Sequence, residues 1–250
     1  VVRIDPATNE VEAEIQAGSD SEICQGIGAG GGAVWTCDEQ DIVRIDPATN
    51  EVAATVPVDK FYDGGQIPVA FDHAWVLTGD GSVLAGVRDD AVAVELDLGV
   101  RCVGIAAGDD ALWAACLEDG TAIRIDPDTG EVTDRITGLD GARNLSVEAG
   151  HIWVAYSGGV ALIDAATPEV IGVADAPTGL SGAVFASDGG AWVRTPGALA
   201  RVDEDLEVVE EVMIPEESGG SVRVAFGSVW TSAYDDAVVY RLDCGSAPCG

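Results

Sequence analysis

Six tryptophans punctuate this chain at near-constant intervals. They are Trp35, Trp75, Trp113, Trp153, Trp192 and Trp230, spaced 40, 38, 40, 39 and 38 residues apart. Self-similarity at one period confines a chain to architectures in which like units stack or circle. Around the rings the chain reads GAVWTC, HAWVLT, ALWAAC, HIWVAY, GAWVRT and SVWTSA. Each is a short β-branched and aromatic run, the composition of a strand. Eleven or thirteen residues after most rings a second strand ends in aspartate, at Asp46, Asp126, Asp164, Asp203 and Asp243. The Trp75 unit has Arg88 in that place. A turn follows, DPATNE or DPDTGE in the clearest cases, with proline after the aspartate and Asn or Gly late, as tight turns require. Then comes a third strand, such as EVAATV or EVTDRI, and a Gly/Ala-rich fourth segment such as GIGAG or GIAAG precedes each tryptophan.

Four short strands about every 40 residues is the period of a propeller blade. In chain order the strands are A (Gly/Ala-rich), B (with Trp), C (ending in Asp) and D. The expected fold is all-β: a six-bladed β-propeller of four-stranded antiparallel blades, with residues 1–250 as one domain. Six rings at one strand position read as wedges between packed blades. A ring burying ~150–250 Å² contributes about 4–6 kcal/mol of transfer free energy at ~25 cal/mol/Å². The decamer VRIDPATNEV occurs at 2–11 and again at 43–52, so those residues fill equivalent C–D positions. B and D strands number six each, but C-type strands number seven, because VVRID (1–5) and VVYRLD (238–243) share a phase. The count closes if residues 10–15 supply strand D of the C-terminal blade, an N-terminal strand fastening the ring. Residues 1–5 are then spare: they dangle, add to an edge or compete with 238–243.

The unit GAVWTCDEQDIVRIDPATNEVAATVPV resembles the repeat of the virginiamycin B (streptogramin) lyase-like propellers and the related YVTN-repeat proteins. The matching features are the Trp strand, RIDPATNEV and the short valine-rich strand, and the likeness spans nearly the whole chain. It implies a propeller. It also implies a lyase alternative, in which a His/Glu constellation works with magnesium at the ring's central mouth. The histidines of this chain are His73 and His151, each two residues before a Trp, in the A–B turn. That turn lies at the opposite end of the strands from the B–C and D–A loops, so no catalytic residue carries over. The two histidines read as exposed turn residues.

Asp and Glu number 44 against 12 Lys and Arg, giving a net charge of −32, and Lys60 is the one lysine. Such a surface repels nucleic acid and anionic membranes and attracts cations or a basic partner. Its plainest reading is a solvated face suited to a salty medium. No apolar run reaches the ~20 residues of a membrane-spanning helix, so membrane insertion is not expected. No signal peptide is visible and Val1 replaces an initiator Met, so the chain reads as a mature or trimmed fragment. Six cysteines make an even set. Cys24 and Cys102 each lie eleven residues before a Trp, and Cys37 and Cys116 lie two and three residues after one. Both pairs would face each other across an A–B hairpin. The expected disulfides are Cys24–Cys37, Cys102–Cys116 and Cys244–Cys249, with an extracellular or cell-surface compartment.

Motifs for nucleophilic, phosphate-binding and zinc chemistry are absent. GIGAGGG (26–32) resembles a phosphate loop but lies on a hairpin with no helix after it. Function in a repeat scaffold sits in its loops. Four of the six B–C loops carry acids, and the D–A loop PVDKFYDGGQ gathers Lys60, Phe61 and Tyr62. The candidate ligand-binding set is Tyr62, Lys60, Arg101, Arg143, Asp80, Asp119, Asp235 and Asp236. It could hold a small polar ligand, or a divalent cation between carboxylates; equally, the arginines could pair with nearby acids and order the loops. Three functions follow. The first is an extracytoplasmic recognition or sensor module for a small polar ligand or a protein partner, working as a monomer and without a cofactor. The second is a metal-dependent lyase or hydrolase. The third is a structural propeller of a larger surface protein.

Overall fold

A computed structural model describes residues 1–18, 23–38, 40–58, 66–176, 178, 182–214, 220–233, 236–244 and 249, with the backbone alone at 23–25. Every regular element among them is a strand. The chain opens with β1 (Val2–Ile4) and β2 (Val11–Glu14). The first sheet holds β3 (Ile23–Gly30), β4 (Ala33–Asp38), β5 (Asp41–Asp46) and β6 (Glu51–Pro57); the second β7 (Val69–Ala70), β8 (His73–Thr78), β9 (Val83–Arg88) and β10 (Ala91–Asp97). The third comprises β11 (Gly104–Ala107), β12 (Leu112–Cys116), β13 (Thr121–Ile125) and β14 (Val132–Ile136). The fourth comprises β15 (Asn144–Glu148), β16 (His151–Tyr156), β17 (Gly159–Asp164) and β18 (Glu169–Ala174). The fifth has β19 (Val184–Ser187), β20 (Gly190–Thr195), β21 (Ala198–Asp203) and β22 (Val208–Met213), and the sixth β23 (Val222–Ala225), β24 (Ser228–Ala233) and β25 (Val238–Asp243). Strands neighbour one another in chain order within each sheet. One antiparallel sheet for each tryptophan repeat makes this a six-bladed β-propeller. The residues group into two compact units, 1–107 with 126–131 and 108–125 with 132–250.

Local chemistry explains the elements. Five of the A–B connections are two-residue turns with both residues in the left-handed region: Gly31–Gly32, Phe71–Asp72, Ala149–Gly150, Asp188–Gly189 and Phe226–Gly227. That geometry matches the twist of the strands it joins. The RIDP turn is an aspartate device. Asp46 Oδ1 accepts from Ala48 N at 2.7 Å, and Asn50 N donates to Asp46 O at 2.8 Å with Asn50 at φ 59°. Asp5, Asp126 and Asp164 repeat the carboxylate bond to the amide two residues on. At Asp164 the Thr167 and Ala166 amides hold the carboxyl below its ordinary range. Pairing slips by one residue between Arg44 and Ile45, where Ala53 of strand D is the extra residue of a bulge, and at the matching place in five other C strands.

In the first unit Trp35 packs with Ile42 and Val56 of its own sheet and with Ile67, Val76 and Val87 of the next. In the second, Trp153 sits among Val160, Leu162, Val184, Val193 and Val202. Trp192 packs with Leu199, Ile214, Val222 and Val229. Five of the six rings are buried and Trp230, on the three-stranded sheet, is half-buried. The wedge reading of the tryptophans holds at these sheet pairs.

Two expectations are corrected. Residues 10–15 do not join the last sheet: among the described residues β2 pairs with β1, and the sixth sheet ends at β25 with three strands. Strand 1–5 is therefore not spare. It is the C strand of a local hairpin, with the same bulge as the identical decamer in the first sheet. Closing a four- or five-residue turn costs less chain entropy than pairing strands more than two hundred residues apart. The histidines are not exposed turn residues either; each is the half-buried first residue of strand B, in β8 and β16.

Candidate functional site

The B–C turn and the D–A segment of the second sheet are laced together. Leu98 N donates to Ser82 O at 2.8 Å, Cys102 N to Gly81 O at 3.0 Å, and Arg101 Nε to Asp80 O at 3.0 Å. Asp80 Oδ1 accepts from Ser82 N at 3.1 Å. The Ser82 hydroxyl and amide hold the Asp80 carboxyl below its ordinary range, and the Arg101 charge adds to this. The structure thus brings together two of the expected site residues, Asp80 and Arg101, as an ordered acid-and-base edge where two loops meet.

The other expected residues stand as follows. Asp119 is 3.8 Å from Arg135 Nη1, a residue of strand D in its own sheet. Arg143 Nε donates to Gly141 O at 3.3 Å, and its Cδ lies where a Cβ on Gly182 would come within 2.3 Å. Asp236 is exposed. Lys60, Tyr62 and Asp235 lie outside the described residues. Among the described residues no group of three or more His, Cys, Asp and Glu side chains could hold a metal ion.

The cysteines are oxidised. Cys37, Cys102 and Cys116 are disulfide-bonded, and Cys244 is joined to Cys249. Among the described residues none is free. The Cys24 side chain is outside the described set. Cys249 O accepts from the Trp192 indole, so the C-terminal disulfide loop is pinned onto a wedge ring.

Sequence reasoning missed Arg194. It is the penultimate residue of strand B of the fifth sheet and is 1% exposed. A guanidinium so deep is costly unless compensated. Its signal is the charge inside the apolar run GAWVRT, next to a B–C loop. It also missed three polar side chains of β15. Asn144 Oδ1 accepts from Val184 N at 3.2 Å, Ser146 Oγ from Ala186 N at 3.0 Å and Glu148 Oε2 from Gly189 N at 3.4 Å. They satisfy amides of the neighbouring A strand that have no strand partner on that side.

No known protein family matches the chain, and no curated protein matches it. Solved structures do. Hydrazine synthase of Kuenenia stuttgartiensis aligns with TM-score 0.77 and 14% identity over 98% of this chain and 90% of that one. The WD40 domain of Neurospora crassa Pan2 gives 0.70 and 10% over 89% and 75%. BamB from Moraxella catarrhalis gives 0.59 and 12% over 89% and 82%. The neighbours are β-propellers, and at these identities they show the fold alone. The streptogramin lyase-like resemblance has no support at the level of a sequence family.

Proposed function

We propose that this protein is a non-catalytic recognition module of an extracytoplasmic compartment, and that the B–C and D–A loops of its first unit present acids to a basic protein partner. The lacing of Asp80, Ser82 and Arg101 carries this reading. It favours the charged form of an exposed carboxylate and ties its loop to the next one, which is a step towards the pre-organisation a binding surface needs. The propeller fold commonly serves protein interaction, the net charge of −32 favours a basic partner, and the oxidised cysteines suit an oxidising compartment.

The test is binding of an immobilised arginine-rich peptide to two triple variants. One neutralises B–C loop acids of the first unit: Asp38→Asn, Asp41→Asn and Asp80→Asn. The other neutralises three acids near the starts of D strands: Glu51→Gln, Glu169→Gln and Glu207→Gln. Each takes the net charge from −32 to −29, three carboxylates fewer. The loop variant should bind about tenfold more weakly and the strand variant as well as the unmodified protein. Equal losses in both would reduce the interaction to bulk charge and overturn the reading.

A further inference from the structure

The glycines of GIGAGGG do have a structural consequence. Gly31–Gly32 is the one left-handed A–B turn with no side chain at either position. In the third sheet the strand-C arginine, Arg124, reaches the A–B turn of its own sheet and pairs with Asp110 at 2.8 Å. Arg44 has no side chain to meet there. It crosses to the second sheet and grips Asp90 with two bonds, Nε to Oδ1 at 2.7 Å and Nη2 to Oδ2 at 2.8 Å. The bare turn and the diverted arginine leave a cleft of about 690 Å³ in the first unit, between the first two sheets at their hairpin end. That size falls within the ~300–1,000 Å³ typical of small-molecule sites.

The cleft holds an unpaired donor beside three lining carboxylates: Asp90, which is taken by Arg44, Asp89, which lies beside Arg88, and Asp72. Trp35 lines the cleft, is 7% exposed, and its Nε1 has no hydrogen-bond partner among the described residues. The equivalent rings do better: Trp75 Nε1 donates to Ala70 O at 3.0 Å and Trp230 Nε1 to Ala225 O at 3.1 Å. A buried donor left unpaired is a standing cost that an incoming acceptor removes. At the mouth, Arg88 is half-exposed, and among the described residues its one ion-pair contact is the loosely placed Asp89, 3.7 Å away and 93% exposed. His73 Nδ1 lies 2.6 Å from Phe71 O and so carries its proton there. Val69, Ala74 and Val87 supply apolar walls. Two of only twelve basic residues in the chain converge on this cleft.

We propose that this cleft binds a small carboxylate with a compact apolar body. The carboxylate lies against Arg88, the body packs on Val69, Ala74 and Val87, and an acceptor oxygen takes the Trp35 indole proton. The site is at the opposite end of the strands from the loop face and stands independently of the function proposed above.

Benzoate and phenylacetate are the probes, benzylammonium the opposite-charge control, and the readout is the set of indole N–H signals in a proton–nitrogen NMR spectrum. Trp35→Phe identifies the Trp35 signal. Titration with either carboxylate to about 10 mM, enough to load a millimolar site, should shift that signal and leave those of Trp75 and Trp230 in place. Arg88→Gln should weaken binding about tenfold. Gly31→Asn keeps a residue suited to the left-handed turn while putting a side chain at the mouth, where the space is open. It should abolish the shift without lowering the melting temperature. A Trp35 signal that neither carboxylate moves overturns the proposal. So does an equal response to benzylammonium, or undiminished binding in both variants.

Discussion

At the scale of single residues, one pairing recurs on the wedge tryptophans. The residue cross-strand from the ring is arginine in four sheets: Arg44, Arg124, Arg201 and Arg241 face Trp35, Trp113, Trp192 and Trp230. In those sheets the residue two before the ring is small: Ala33, Ala111, Gly190 or Ser228. The reason is steric. A Cβ on Gly190 would come within 2.3 Å of Arg201 Nη1, and Ser228 Oγ takes a 2.9 Å bond from Arg241 Nε. Arg241 also lies 5.2 Å over the Trp230 ring, a cation–π distance. Where the cross-strand residue is Gly86 or Leu162, the small residue is replaced by His73 or His151. The His73 ring sits 5.1 Å from that of Trp75 and takes the room an arginine would occupy. Gly86→Arg alone should therefore cost about 1–3 kcal/mol by overpacking. Adding His73→Ala, which recreates the Ala33–Arg44 combination, should restore at least about 1 kcal/mol in a urea-unfolding double-mutant cycle. Strict additivity would show that the histidine is not a substitute for the arginine.

At the scale of elements, the identical decamers form the same hairpin in two surroundings. Arg3 pairs with Ala13 as Arg44 pairs with Ala54. Arg3 also holds the neighbouring C–D turn through Pro47 O at 2.8 Å and Asn50 Oδ1 at 3.0 Å, much as Arg44 holds Asp90. The packing differs. Val1 and Val2 are 38% and 54% exposed, while the equivalent Ile42 and Val43 are 0% and 1% exposed. β5 has β4 on its far side and β1 has no such strand among the described residues. Local opening is governed by buried apolar contact rather than by hydrogen-bond count. Amide hydrogen exchange should then be about a hundredfold faster at Arg3 and Ala13 than at Arg44 and Ala54. Equal protection would mean that another strand covers β1 in solution.

At the scale of the whole molecule, charge and repetition pull apart. A net charge of −32 on 250 residues opposes compaction through self-repulsion, and salt screens it. The Debye length falls from ~30 Å at 0.01 M to ~10 Å at 0.1 M. The melting temperature should rise over that interval of potassium chloride and flatten beyond it. A fall with added salt would show that ion pairs such as Arg44–Asp90 outweigh the repulsion. The strands, the wedge rings, the Asp turns and the fold class were legible in the sequence, because they follow from periodicity and from what Asp, Asn and Gly do within a few bonds. The candidate loop set was legible only as a set of loops: sequence phase put Asp80 and Arg101 on neighbouring loops, but not Asp119 beside Arg135. The partner of β2 was not legible at all. Two equivalent C strands suit it equally well by pattern, and the choice between them is a matter of chain entropy and of what else packs nearby. The cleft beside Trp35 was hidden for the same reason. Gly31 and Gly32 announce a turn, and only the packing of the second sheet against the first turns their missing side chains into a space.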